Sequence, residues 1–395
     1  MKKNLLRILS LVMAAAMLLC LFACDNSDEP AATTAPETTV ALTTEAIKNE
    51  NTSEGIKNII LIIGDGMGLE HIAAGQLYAG KKFEFTEWQF TNVNTDSITT
   101  AGKGPVLTDS AASGTALATG KLTVNSYVGK NHLGTNLTTI LDAANKLGKS
   151  TGVVTTDALH GATPAAFSGH TKDRTKSDEI VNSQLSSNVN LLCGTTDSVC
   201  TSKQSAIQSA GYAYCDNFSN IDSTFSSEKA YWQFDLAGKN ATVQLCDTTV
   251  KALNYLNQDS DGFVLMVEQA HIDKYSHNNE FSGMVKSVKS LNDTVEAVMA
   301  WIGDRTDTAV LVTADHETGG LTITTTEALP MKSSVTDIPI YFKWQKADHT
   351  NSKVGLFVYG VEVDFSKFDY YKSNHLIKNI DVYNLMYDIL HPTEE

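Results

Sequence analysis

Long apolar runs separated by amphipathic stretches divide this chain into blocks, and the blocks predict its architecture. Asn58-Ile59-Ile60-Leu61-Ile62-Ile63 is β-branched and almost wholly apolar, and it ends in Gly64-Asp65-Gly66-Met67-Gly68. A strand apolar on both faces belongs inside a parallel sheet covered by helices, because a half-exposed strand would alternate. The pattern recurs at Ser150–Thr156, Gly262–Val267, Ala309–Thr313 and Val354–Tyr359. Between these runs, Leu137–Lys146 and Met284–Ile302 place apolar residues at helical spacing. Strands alternating with helices predict an α/β fold, a doubly wound, mostly parallel central sheet with helices on both faces.

Polar residues follow the apolar runs directly: Asp65 after the first, Glu268 after the third and Asp315-His316 after the fourth. In open parallel sheets ligands bind beyond the carboxyl ends of the strands, where residues far apart in sequence meet. A zinc ion needs three or four converging N and O donors. Asp273, His277, Asp315, His316 and His349 are five such donors from three distant segments, which suggests more than one ion. Asp273 and His277 are four apart, so one helical turn puts both on the same side. Taken singly, a surface Asp or His would be solvated and idle, and His349 in its polar loop reads that way by itself.

Ser110 supplies a candidate nucleophile. It precedes the small-residue stretch Ala111-Ala112-Ser113-Gly114-Thr115-Ala116-Leu117-Ala118, which can pack closely as a helix. A serine at a helix start sits in the positive end of the dipole, a place that suits phosphate. No histidine neighbours it in sequence, so activation of its hydroxyl falls to a metal. A plain helix-capping role is the competing reading.

The N-terminus changes the picture of where this chemistry happens. Lys2, Lys3 and Arg7 precede an apolar run from Ile8 to Ala23, which reads as an export signal rather than a membrane span. Leu21-Phe22-Ala23-Cys24 looks like a bacterial lipoprotein cleavage box, so residues 1–24 form the signal and Cys24 carries lipid that anchors the protein to the membrane. Ordinary cleavage with a periplasmic or secreted product is the alternative. Residues 25–55, rich in Thr, Ala, Glu and Pro, cannot bury enough surface to order and read as a tether. Residues 56–395 are long enough for one large domain.

The net charge of −15 argues against nucleic acid as a specific partner, since phosphate backbones are held by clustered Lys and Arg. Beyond Cys20 and Cys24 there remain Cys193, Cys200, Cys215 and Cys246. An even number in an exported protein favours disulfides, and Cys193–Cys200 with Cys215–Cys246 closes the shortest loops. Residues 176–248 are polar and poorly periodic, and read as an elaboration at the sheet's edge.

The order of these motifs resembles the alkaline phosphatase family. The residues that carry the resemblance are Ile63 to Gly68, Asp109-Ser110-Ala111, Ala162-Thr163-Pro164-Ala165-Ala166, Glu268 to His277, Thr313-Ala314-Asp315-His316 and His349-Thr350. It runs from about Lys57 to the end, and the combination is specific although each piece alone is not.

The resemblance implies that Asp273, His277 and His349 hold one zinc ion and that Asp65, Asp315 and His316 hold a second, with Ser110 attacking beside it. Asp65, Thr163 and Glu268 would hold a third ion, magnesium in the best-known members. Arg174 would grip phosphate with its planar fork, and Lys274 matches a position that reaches phosphate through water in some members. Two zinc ions flanking one hydroxyl suit hydrolysis of phosphate monoesters through a phosphoserine on Ser110.

Two departures stand out. Gly161 occupies a place where many members carry Asp or His near the third metal, with His160 displaced by one position, so weaker binding or another ion is expected there. Thr318 replaces a second histidine found in some members, which removes that residue's support from the second zinc. Many members pair as homodimers, although this sequence carries no interface signal of its own. Competing functions are a phosphodiesterase or sulfatase of the same superfamily, and a surface protein that binds metal or phosphate without turnover.

Overall fold

The first apolar run becomes β1 (Asn58–Gly64), every residue of which is buried. Each of its five large side chains, Ile59 to Ile63, contributes roughly 1.5–3 kcal/mol by leaving water. The computed structural model describes residues 55–238, 241–324, 331–332 and 339–392. The export signal, Cys24 and all of the tether but Gly55 lie outside the described residues.

Seven further strands follow: β2 (Gln89–Asn94), β3 (Ser150–Thr155), β4 (Leu191–Thr195), β5 (Tyr212–Cys215), β6 (Lys229–Phe234), β7 (Phe263–Gln269) and β8 (Thr308–Thr313). Short strands β9 (Glu317–Thr318), β10 (Thr322–Thr324), β11 (Met331–Lys332), β12 (Pro339–Lys343) and β13 (His349–Thr350) lie beyond β8. They precede β14 (Val354–Tyr359) and β15 (Ile377–Lys378). Ten of these form one sheet in the order β15-β2-β14-β8-β1-β7-β3-β4-β6-β5. It is mostly parallel and flanked by helices, as the alternation of blocks predicts.

One direction differs from expectation. The run at Val354–Tyr359 does form a buried strand, but β14 is antiparallel to both β8 and β2. Burial on both faces makes a strand apolar throughout whichever way it runs, so composition reports depth and not direction. Residues 176–248 also differ from the expected elaboration. They supply β4, β5 and β6, which continue the sheet in parallel register. The helical expectations hold, at Ile140–Lys146 with Thr139 as its cap and at Phe281–Ile302.

The disulfide expectation is not met: Cys193, Cys200, Cys215 and Cys246 are all free thiols. Cys193 and Cys215 both pair in register with Trp232 of β6, which leaves them two strand spacings apart. That is about 9–10 Å, beyond the reach of a disulfide. Cys246 lies on the Leu245–Leu256 helix, which packs against β3, with β4 and β6 between β3 and the strand that carries Cys215. The Cys200 thiol lies beside Tyr231. Among the described residues no helix is long and apolar enough to cross a membrane.

Register positions the site. Ile63 of β1 stands level with Glu268 of β7 and with Thr313 of β8, and Glu268 stands level with Thr155 of β3. Four neighbouring strands therefore end in one row, and the loops that follow them share one edge of the sheet.

Candidate active site

The loop after β1 turns sharply at Gly66, whose φ is 74°. A Cβ there would come within 2.9 Å of the Asp273 backbone and of Thr318 Oγ1, so only glycine lets the three segments close together. The Gly66 amide donates to Asp315 Oδ1 at 3.2 Å, and the His316 amide donates to the same oxygen at 3.0 Å. The loops after β1 and β8 are thereby tied. Asp65 is buried beside them, and Asp315 and His316 are fully buried.

The Ser110–Thr119 helix brings Ser110 to the same point. Asp109 is its cap, accepting from the Ala112 amide at 2.9 Å, so Ser110 is the first helical residue and is not the cap. Every residue of this helix is buried, as its run of small side chains allows. The Ser113 hydroxyl donates to the Asp315 carbonyl at 2.5 Å and anchors the helix to the β8 loop. Ser110 Oγ then lies 3.1 Å from His316 Nε2. Its neighbour is a histidine after all, one that sequence distance hid.

Asp273 and His277 share one side of the His271–His277 helix, with His277 Nε2 3.3 Å from Asp273 Oδ1. His277 Nδ1 bonds the Ala347 carbonyl at 3.0 Å, and His349 Nδ1 bonds the Thr108 carbonyl at 2.8 Å. A carbonyl only accepts, so each Nδ1 carries a proton, and in the neutral imidazole each Nε2 then carries a lone pair. Those two Nε2 atoms are 3.2 Å apart, with His349 Nε2 3.8 Å from Asp273 Oδ1. Two facing lone pairs beside a carboxylate cannot satisfy one another; a cation satisfies all three.

Two groups of donors, Asp273 with His316 and His349, and Asp65 with Asp315 and His316, have ligand atoms within 4.8 Å of one another. Asp65 Oδ1, Asp315 Oδ2 and Thr163 Oγ1 are buried without any hydrogen-bond partner. Orphaned acceptors of this kind are costly unless a cation meets them. The donor set therefore fits divalent ions.

The electrostatics agree. Burial, together with Asp315, Asp273 and Glu268, pushes the Asp65 carboxyl well above the usual carboxylate range. Burial and the charge of Asp157 push Glu268 up to about 8, and burial with Asp273 pushes Asp315 up to about 6. Burial and the nearby histidines hold His316 well below its ordinary value. Carboxylates that repel one another beside a neutral imidazole make a donor set that a divalent cation suits.

Arg174 stands at the rim, half-buried, with Nη1 3.3 Å from Asp109 Oδ2. Asp109 thus caps the helix and orients the guanidinium. The Arg174 charge is felt at both Asp65 and His316. Glu268 accepts from the Thr155 hydroxyl, and its field reaches Asp65. Thr163 is buried at the start of the Ala162–Ser168 helix. Among the described residues Glu268 and His277 do not join either close donor group. His160 turns to Asp197, at 3.2 Å, rather than toward Glu268.

Three contributors escaped the sequence. Asp157, just past β3, pairs with Lys274. The carbonyls of Thr108 and Ala347 orient the imidazoles and carry no side-chain signal at all. Asp157 follows an apolar run as Asp65 does, and that placement was the available clue.

The alkaline phosphatase family model matches residues 56–197 and 225–375. Alkaline phosphatase 4 of Bacillus subtilis is 33% identical over 289 residues, which cover 68% of this chain and 63% of that protein. Alkaline phosphatase 3 of the same organism is 31% identical over 297 residues, covering 70% and 64%. The chain thus aligns with somewhat under two thirds of the length of these relatives. The solved alkaline phosphatase from the Antarctic bacterium TAB5 shares the fold, with a TM-score of 0.72 at 23% identity, covering 86% of this chain and 99% of that one. On the span of the family match and the identity to these relatives, the chain belongs to the alkaline phosphatase family.

Proposed function

We propose that the protein hydrolyses phosphate monoesters to an alcohol and inorganic phosphate, with Ser110 as nucleophile. The observation that carries this reading is the 3.1 Å contact between Ser110 Oγ and His316 Nε2 inside a cluster of orphaned acceptors.

In this reading the Ser110 oxygen forms a bond to phosphorus as the ester P–O bond breaks and the alcohol departs. Water then cleaves the phosphoserine, phosphate leaves and the hydroxyl is restored. Asp273, His277 and His349 would hold one zinc ion, and Asp65, Asp315 and His316 a second. Asp65, Thr163 and Glu268 would hold magnesium; a solved mutant of the TAB5 alkaline phosphatase has Mg bound. Such ions supply charge stabilisation at the entering and departing oxygens. The chain's own part is to hold Ser110 at a buried helix start and to present Arg174 to two phosphate oxygens at once. Lys274 would act on phosphate through water. A guanidinium fork suits the dianion of a monoester, which favours monoesters over diesters and sulfates.

The proposal extends to export with lipid on Cys24 and to pairing with a second copy, both of which rest on the sequence and the family.

Replacing Ser110→Ala tests the reading. Phosphate release should fall by several orders of magnitude while zinc content by elemental analysis stays near wild type. Unchanged activity removes Ser110 as nucleophile. Faster cleavage of a diester than of a monoester overturns the substrate class.

A further inference from the structure

Thr318 lies on β9, fully buried, with its amide donating to the Gly66 carbonyl at 3.1 Å. Its strand partner across the two-stranded ladder is His349. The backbone is therefore tied to the Asp65 loop on one side and to the His349 segment on the other. The side chain has a single hydroxyl and two polar neighbours. It donates to Asp273 Oδ1 at 2.5 Å, and it lies 3.2 Å from His316 Nδ1.

Counting protons settles the second contact. The hydroxyl has one hydrogen, and the carboxylate oxygen takes it. The contact to His316 then exists only if Nδ1–H donates to Thr318 Oγ1. His316 is thereby held as the Nδ1–H tautomer, with the Nε2 lone pair facing Ser110 Oγ at 3.1 Å, Asp315 Oδ2 at 3.3 Å and Asp65 Oδ1 at 3.6 Å. In the other tautomer Nε2 would point a proton into this cluster, where no cation could then sit. The same hydroxyl fixes the rotation of Asp273, whose other neighbours at that oxygen are His277 and His349. One side chain thus touches a donor from each of the two groups.

We infer that Thr318 is a positioning residue: its hydroxyl sets the tautomer of His316 and the orientation of Asp273, and so makes the two donor groups competent for metal. The inference rests on the metal-dependent reading above. It also answers the departure noted in the sequence, because a hydroxyl two residues past His316 supplies the support that a second histidine would give.

The test is zinc affinity, measured on the full chain after chelator stripping by competition with a chromogenic chelator. Thr318→Val keeps the shape and removes the hydroxyl, and should weaken zinc binding by about 10- to 100-fold, the usual effect of losing a group that orients a ligand. Thr318→Ser restores the hydroxyl and should bind within about threefold of wild type. If Thr318→Val does not fold, Thr318→Ala takes its place in the same comparison with Thr318→Ser. Zinc binding by the hydroxyl-free variant that equals wild type overturns the inference, as does a Thr318→Ser variant as weak as it. Because Ser110→Ala is read by phosphate release and Thr318 by zinc affinity, the nucleophile assignment can fail while this one stands, and the reverse.

Discussion

The Lys274 ammonium lies 2.5 Å from Asp157 Oδ1, across the gap between the helix that follows β7 and the loop that follows β3. Asp157 has room to do this because residue 161 is glycine: a Cβ on Gly161 would sit 2.5 Å from Asp157 Oδ2. The carboxylate fills space that a larger residue at 161 would occupy. Its charge also reaches Glu268.

This pairing bears on phosphate binding. In the proposed function Lys274 reaches phosphate through water, and Asp157 offsets part of its charge. Asp157→Asn should therefore tighten product inhibition by inorganic phosphate. The pair is partly exposed, so the effect should be modest, an inhibition constant lowered about two- to fivefold. An unchanged or raised constant would mean that Lys274 does not act on phosphate.

The raised carboxyls give the metal-free protein a pH dependence with a definite sign. Glu268 moves from 4.5 to about 8 and Asp315 from 3.8 to about 6. Between about pH 4 and pH 8 the folded state keeps protons that the unfolded chain has released. Their contribution is present below the unfolded values and is lost as pH rises through the folded ones. Chelator-treated protein should melt lower at pH 8 than at pH 5, and Glu268→Gln should shrink that difference. Zinc should raise the melting temperature most at pH 8, where Asp315 binds it without competition from a proton. A metal-free protein whose melting temperature climbs from pH 5 to pH 8, with Glu268→Gln behaving alike, would refute this account.

Packing behind Ser110 is equally specific. A Cβ on Gly114 would lie 3.2 Å from Ala166 Cβ and 3.4 Å from Thr163 Cα, so the two helices meet almost backbone to backbone. Gly114→Val overfills that contact and should cost about 1–3 kcal/mol, read from urea midpoints. The helix would shift to make room and carry Ser110 with it, so activity should fall as well. Wild-type stability and activity in this variant would show that the contact has slack.

Much of the site was legible because its side chains follow apolar runs. Asp65 and Asp315-His316 stand just past β1 and β8, Glu268 is the last residue but one of β7, and the level ends of these strands turn that placement into proximity. The spacing of Asp273 and His277 survives as one helical turn. What failed had no periodic signal. The strands within residues 176–248 are short and mixed in composition, and the direction of β14 leaves no mark on a strand buried on both faces. The four cysteines suggested disulfides by number alone, whereas sheet order holds Cys193 and Cys215 in register across β6 as separate thiols.

By itself the sequence determined the layered class of fold and singled out the candidate side chains that it gathers, because hydrophobic period and residue type are local properties. Tertiary structure alone decided the partners: His316 beside Ser110, Asp157 against Lys274, and the Thr318 hydroxyl between Asp273 and His316. Those contacts join segments dozens to hundreds of residues apart, or turn on the single proton of one hydroxyl. They exist only once sheet register has brought the loops together.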